Sequence, residues 1–219
     1  MSLSPSEQRE LKILLEWQYW KGDPWAWIRD CCWTMDEADE GKTKRFPDKE
    51  YLQHICAVWH REPIVAIPKT RRMLLSWLML ALHLWAAIFH PQVAVFIQSK
   101  KEKDSAFLMS DERMMFLYNH LPQGEHPWPK IARKIGGPGG VGYSYIKFDH
   151  NAYIMAIGQG PDQMRGYTAS YVMLDEVAFW EQAEASWGAL KPTIQGGGKV
   201  CLISSAQPGF FQRIVEGEI

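Results

Sequence analysis

The sequence predicts an α/β protein: a mostly parallel sheet flanked by helices, with a small helical appendage at the N-terminus. From Pro63 onward, short apolar runs alternate with longer helical ones, the pattern of parallel strands joined by helical crossovers. Residues 1–45 differ in character, with Trp17, Tyr19, Trp20, Trp25, Trp27 and Trp33 crowded ahead of the charged run DEADEGKTKR. At 47% apolar residues, a chain of 219 has enough material to fill one substantial core. The sequence therefore divides into an aromatic-rich helical appendage, 1–45, and a main domain, 46–219.

Each element follows from its pattern. IVAI at 64–67 and VAVFIQS at 93–99 read as buried strands around an apolar helix at 76–89. The run from Met73 to Phe89 approaches the length of a bilayer span, yet Ser76 and His83 interrupt it and strands flank it, so a buried core helix is expected. Lys101 to about Leu121 reads as one amphipathic helix, and the Pro- and Gly-rich stretch 121–142 as a loop or exposed insertion. SYIKFDH and AYIMAIGQ, on either side of Asn151, alternate as a hairpin added to the sheet. YVMLD at 171–175 and KVCLISS at 199–205 are further buried strands, with a helix at 181–190 between them. The aromatic residues of the appendage are read as packing material.

Composition narrows the function classes. A net charge of −1 gives no gross electrostatic affinity for nucleic acid, so any such contact is local. The four cysteines form no C-x-x-C pair, so neither a zinc site nor a disulfide framework is expected. The N-terminus lacks the basic start and apolar core of a secretory signal.

The chemistry begins at YVMLDE. An apolar strand ending in two carboxylates places Asp175 and Glu176 at the carboxyl end of a sheet, where open α/β folds keep ligands. That is the Walker B pattern, with an aspartate for Mg²⁺ and a glutamate for the attacking water; an acid-capped helix start is the plainer alternative. Upstream, IVAI runs into PKTRRMLLSW. The usual phosphate loop uses glycines and a terminal lysine. Here both are missing, but Lys69, Thr70, Arg71 and Arg72 supply a cationic turn and Ser76 a hydroxyl at a helix start. Taken alone, that turn reads as a solvated basic loop. Gly41-Lys42-Thr43 spells GKT, but no strand precedes it, and a charged surface loop is expected there.

These motifs resemble the ATPase domain of the large terminase subunit of tailed bacteriophages. PKTRRMLLSW is similar to that family's variant Walker A, which implies that Lys69, Thr70, Arg71 and Arg72 bind phosphates and that Ser76, with Asp175, binds Mg²⁺. Leu74 departs from the family's glycine, and Leu75 from a lysine that many members carry. Gln53 resembles the adenine-reading glutamine, with Tyr51 nearby, although a solvated surface residue has the same look. Arg165 in MRGYTASYVMLDE resembles the arginine finger offered to a neighbouring subunit, or is a turn residue; KVCLISSAQPG resembles the coupling motif, with Ser204 and Ser205 sensing the γ-phosphate, or merely closes a strand.

The resemblance implies a P-loop NTPase of the ASCE/RecA-like kind that hydrolyses ATP with Mg²⁺, with Glu176 and Arg165 as catalytic residues. It also implies double-stranded DNA as substrate, a homo-oligomeric ring, portal and small terminase subunits as partners, no membrane, and the cytoplasm of an infected bacterial host. The family's C-terminal nuclease is not expected in these residues, which read as part of a longer protein. Two alternatives share the same groups: a helicase-like translocase and a nucleotide-binding scaffold with a weakened loop. Lys100, Lys101 and Lys103, and Lys130, Arg133 and Lys134, read as solvated charge runs.

Overall fold

The computed structural model describes residues 3–36, 42–124, 126–137, 140, 142–164 and 166–219. Helix α1 (Pro5–Gly22) starts with a capping box, in which Ser4 Oγ accepts from the Glu7 amide and the Glu7 carboxylate accepts from the Ser4 amide. Asp23 ends it and caps α2 (Pro24–Cys31), its carboxylate accepting from the amides of Trp25 and Ala26. Strands β1 (Trp33–Asp36) and β2 (Lys42–Arg45) pair as an antiparallel hairpin. The segment holding Lys42 and Thr43 is thus an exposed strand where a loop was expected; Gly41 lies outside the described residues.

The main sheet follows. After α3 (Glu50–Arg61) come β3 (Ile64–Lys69), α4 (Leu75–Phe89), β4 (Ala94–Ser99), α5 (Glu102–Leu108), α6 (Met114–Asn119), β5 (Ile131–Gly136), β6 (Tyr143–Phe148), β7 (Tyr153–Gly158), β8 (Tyr171–Asp175), α7 (Ala183–Gln195), β9 (Lys199–Ser205) and α8 (Phe210–Val215). Strand order is β3-β9-β8-β4-β7-β6-β5. The first five run parallel, and the β6–β7 hairpin adds the antiparallel extension.

Three further expectations need correction. The helix foreseen over 101–121 is two helices, α5 and α6, broken by a turn at 109–113. The stretch 121–142 contains β5, an edge strand paired to β6 whose residues from Ala132 to Gly136 are exposed. A strand buried on neither face has no apolar period to reveal it. The helix foreseen at 181–190 starts at Ala183 and reaches Gln195, with Pro192 inside it.

Alternation along the strands builds a three-layer sandwich. Met173, Cys201, Ile203 and Ile97 pack toward α4; their neighbours Leu174, Leu202 and Phe96 pack toward α7 and α8. Helix α4 is buried at every position but Ser76, which explains why its sequence is apolar on all sides apart from Ser76 and the buried His83. Among the described residues no helix is long and apolar enough to cross a membrane. Trp20, Trp27 and Ile28 of α1 and α2 join the same core, and the Trp85 indole of α4 donates to the Trp20 carbonyl at 2.7 Å. All four cysteines are buried thiols.

Candidate functional site

The strand order brings the carboxyl ends of β3, β9, β8 and β4 to one edge, and a cleft of about 1420 Å³ opens there. Its floor is the end of β8. Asp175 is buried, and its Oδ1 has no hydrogen-bond partner among the described residues. Burial raises its carboxyl to about 6; the charge of Lys69 pulls the other way, and Glu176 pushes it up further. A buried carboxylate oxygen without a described partner, in a cleft also lined by the hydroxyl of Ser76, is suited to a hard divalent cation, which takes oxygen ligands and relieves the desolvation.

Glu176 follows in a left-handed conformation, φ 53°, that turns the chain out of the strand. Its Oε1 accepts from Lys69 Nζ at 2.5 Å, and its Oε2 accepts from the Ser205 amide at 3.3 Å and the Ser204 hydroxyl at 3.4 Å. The register explains this meeting, since Lys69 lies beside Ser205 in the β3–β9 pair. Ser204 is fully buried, and its Oγ also accepts from the Ala178 amide at 3.0 Å. The Trp180 indole donates to the Asp175 carbonyl at 3.0 Å, tying down the turn beyond the strand.

Between β3 and α4, residues 70–74 form the turn that faces these carboxylates. Two of its residues have left-handed backbones without being glycine: Arg72 at φ 66° and Leu74 at φ 57°. Leu74 is the N-cap of α4 and supplies no capping side chain, so the first amides of the helix are left to other partners. The Tyr51 hydroxyl of α3 donates to the Met73 carbonyl at 3.1 Å and holds the turn from outside.

The large terminase of bacteriophage HK97 superposes on 85% of this chain and 38% of its own, with a TM-score of 0.56 and 13% identity. A large terminase from a thermophilic bacteriophage, solved in complex with ADP, covers 77% of this chain and 43% of its own, at 0.51 and 13%. The fold is that of a large-terminase ATPase domain, a P-loop NTPase. The large-terminase ATPase domain of Thermus phage P74-26 aligns over 76% of this chain and 68% of its own, with 18% identity and a TM-score of 0.47. No protein-family model and no curated protein matches the sequence.

Within this terminase fold, Lys69, Thr70, Arg71, Arg72, Ser76, Asp175, Glu176 and Ser205 all line the one cleft, and Ser204 sits directly beneath it. Gln53 does not join them: it is exposed on α3, and its amide donates to Asp48 at 2.7 Å. Arg165 lies outside the described residues. The left-handed φ of Leu74 is a conformation that glycine favours, so the turn adopts it without the residue itself. Sequence reasoning missed the cleft's outer wall, where Thr34, Met35, Lys44 and Arg45 of the hairpin stand with Pro47 and Lys49. It also missed Arg113; only the charges of Lys100 and Lys103, read there as solvated, marked that side.

Proposed function

We propose that the chain is the ATP-hydrolysing motor domain of a DNA-packaging large terminase. The observation that carries this reading is the convergence of Lys69, Asp175 and Glu176 at one sheet edge, two of them in direct contact across 107 residues of sequence. Lys69, with Thr70, Arg71 and Arg72, binds the phosphates of ATP. Ser76 and Asp175 would hold Mg²⁺, which when bound neutralises phosphate charge.

Glu176 orients the attacking water and takes its proton, held in place by Ser204 and Ser205. Lys69 pairs with Glu176; a bound phosphate would compete for the lysine and leave the carboxylate free to act as base. Arg165, offered by a neighbouring subunit, supplies the remaining positive charge, and Gln53 contributes to adenine recognition from outside the cleft. The chain spans 38% of the HK97 terminase and 43% of the ADP-bound one. Translocation of double-stranded DNA, a homo-oligomeric ring, docking to portal and small terminase subunits, and residence in the host cytoplasm complete the proposal.

The test is Mg²⁺-dependent phosphate release from ATP by the parent and by Glu176→Gln. Loss of a general base should slow turnover about 10²–10⁴-fold while ATP binding remains. A variant as fast as the parent would remove Glu176 from the mechanism, and a parent that binds ATP without releasing phosphate would make the protein a scaffold.

A further inference from the structure

The cleft carries more positive charge than its phosphate turn supplies. Lys69, Arg71 and Arg72 stand on the β3 side; Lys100, Lys103 and Arg113 stand on the β4 side, with Asp104 the acidic residue among them. The strand order β3-β9-β8-β4 puts the carboxylates of β8 between these two groups. Since β4 pairs with β8 through Gln98 and Leu174, Ser99 and the segment after it leave the sheet level with Asp175. An anion seated over Asp175 and Glu176 is therefore flanked by cations from both directions.

Arg113 is the member of the second group that packs against aromatic rings. It is half-buried at the turn between α5 and α6, with its guanidinium 5.2 Å from the Trp77 ring centroid and 5.1 Å from that of Phe107. Trp77 directly follows Ser76 on α4, so the arginine packs against the helix whose start faces the phosphates. One of its nitrogens donates to the Glu112 carbonyl at 2.9 Å. Aromatic packing on the guanidinium limits its motion, and its planar fork matches the geometry of a phosphate.

We propose that the β4 side is a second phosphate-binding wall, in which Arg113, assisted by Lys103, grips the terminal phosphate of ATP from within the same chain. This rests on the ATPase reading and deepens it. The turn at 70–74 and Lys69 hold the nucleotide from the β3 side. The β4 wall meets the end that projects past Glu176, so it distinguishes a triphosphate from a diphosphate.

Titration calorimetry of the parent, Arg113→Ala, Arg113→Lys and Lys103→Ala, each with Mg²⁺ and either a non-hydrolysable ATP analogue or ADP, tests this. Arg113→Ala should weaken the analogue by about 10- to 100-fold and ADP by less than about threefold. Arg113→Lys should fall between parent and alanine, because it keeps the charge and loses the fork. Lys103→Ala, at an exposed position that the fold does not need, should show a smaller loss in the same direction and keeps the test open if the arginine variants unfold.

Equal losses for both nucleotides, or none, would overturn the proposal. So would unchanged nucleotide binding with weakened binding to a double-stranded DNA fragment, which would assign the wall to nucleic acid. A parent that binds neither nucleotide overturns the ATPase reading as well, whereas a parent that binds both beside Arg113 and Lys103 variants that match it overturns this inference alone.

Discussion

The two halves of the cleft floor are built in opposite ways. At the carboxyl ends of β8 and β9, Glu176 is held through both oxygens, Ser204 is buried beneath it, and Trp180 locks the following turn. In the turn at 70–74, Arg72 and Leu74 adopt left-handed backbones that cost non-glycine residues about 1–2 kcal/mol each, as Glu176 also does, but the turn lacks the side-chain holds that fix Glu176, and no side chain caps the helix it leads into. The β8–β9 half is fixed by side-chain hydrogen bonds, whereas under the proposed ATPase reading the turn is completed by its ligand. Such a division suits phosphoryl transfer, in which the base must be fixed while the phosphate cradle closes around its substrate.

The largest expected effect lies at the opposite end of β8. His83 of α4 is fully buried, 6.4 Å in ring centroids from Tyr171 at the start of β8, and burial holds its imidazole down to about 4 against an ordinary 6.5. The folded value is depressed, so the unfolded chain takes up the proton more readily. The corresponding stability is complete above about pH 6.5 and is lost as pH falls toward 4, amounting to about 3 kcal/mol. Urea unfolding at pH 7.0 and 4.5 should show this slope, and His83→Leu should flatten it; an equal slope in that variant would place the acid sensitivity elsewhere.

Next in size is Ser204→Ala, which strands the Ala178 amide and removes one hold on Glu176. Unfolding free energy should drop by about 1–2 kcal/mol. Ser205→Ala should leave stability nearly unchanged, because Ser205 holds Glu176 through its backbone. If the two variants unfold alike, the rigid half is not organised by Ser204.

The smallest effect belongs to the turn. At φ 57°, Leu74→Gly avoids a left-handed cost that Leu74→Ala retains, so the glycine variant should be the more stable of the two by about 1 kcal/mol in thermal unfolding. The reverse order, normal for a helix interior, would mean that the turn is not strained at this residue.

Legibility in the sequence follows the same division. The β8 and β9 strands announced themselves as apolar runs ending in polar residues, so Asp175, Glu176, Ser204 and Ser205 were readable as a group. The contact of Lys69 with Glu176 was not, because it depends on β3 lying beside β9, a pairing between segments that motif spacing does not encode. The hairpin wall escaped notice because Lys42–Arg45 is exposed throughout and shows no period. Arg113 was hidden by the break between α5 and α6, which an amphipathic pattern continues across; the turn is what brings the arginine to the cleft. Tyr51 rather than Gln53 reaches the phosphate turn, a difference of orientation on α3 that proximity in sequence leaves open.

A structure of the parent with Mg²⁺ and a non-hydrolysable ATP analogue tests the contrast between the two halves most directly. The expected result has the phosphates between Lys69 and Asp175, Lys69 withdrawn from Glu176, residues 70–74 rearranged, and the Ser204 and Ser205 contacts of Glu176 preserved. Nucleotide bound away from this cleft, or bound within it with the Lys69–Glu176 pair intact and the turn unmoved, would contradict it.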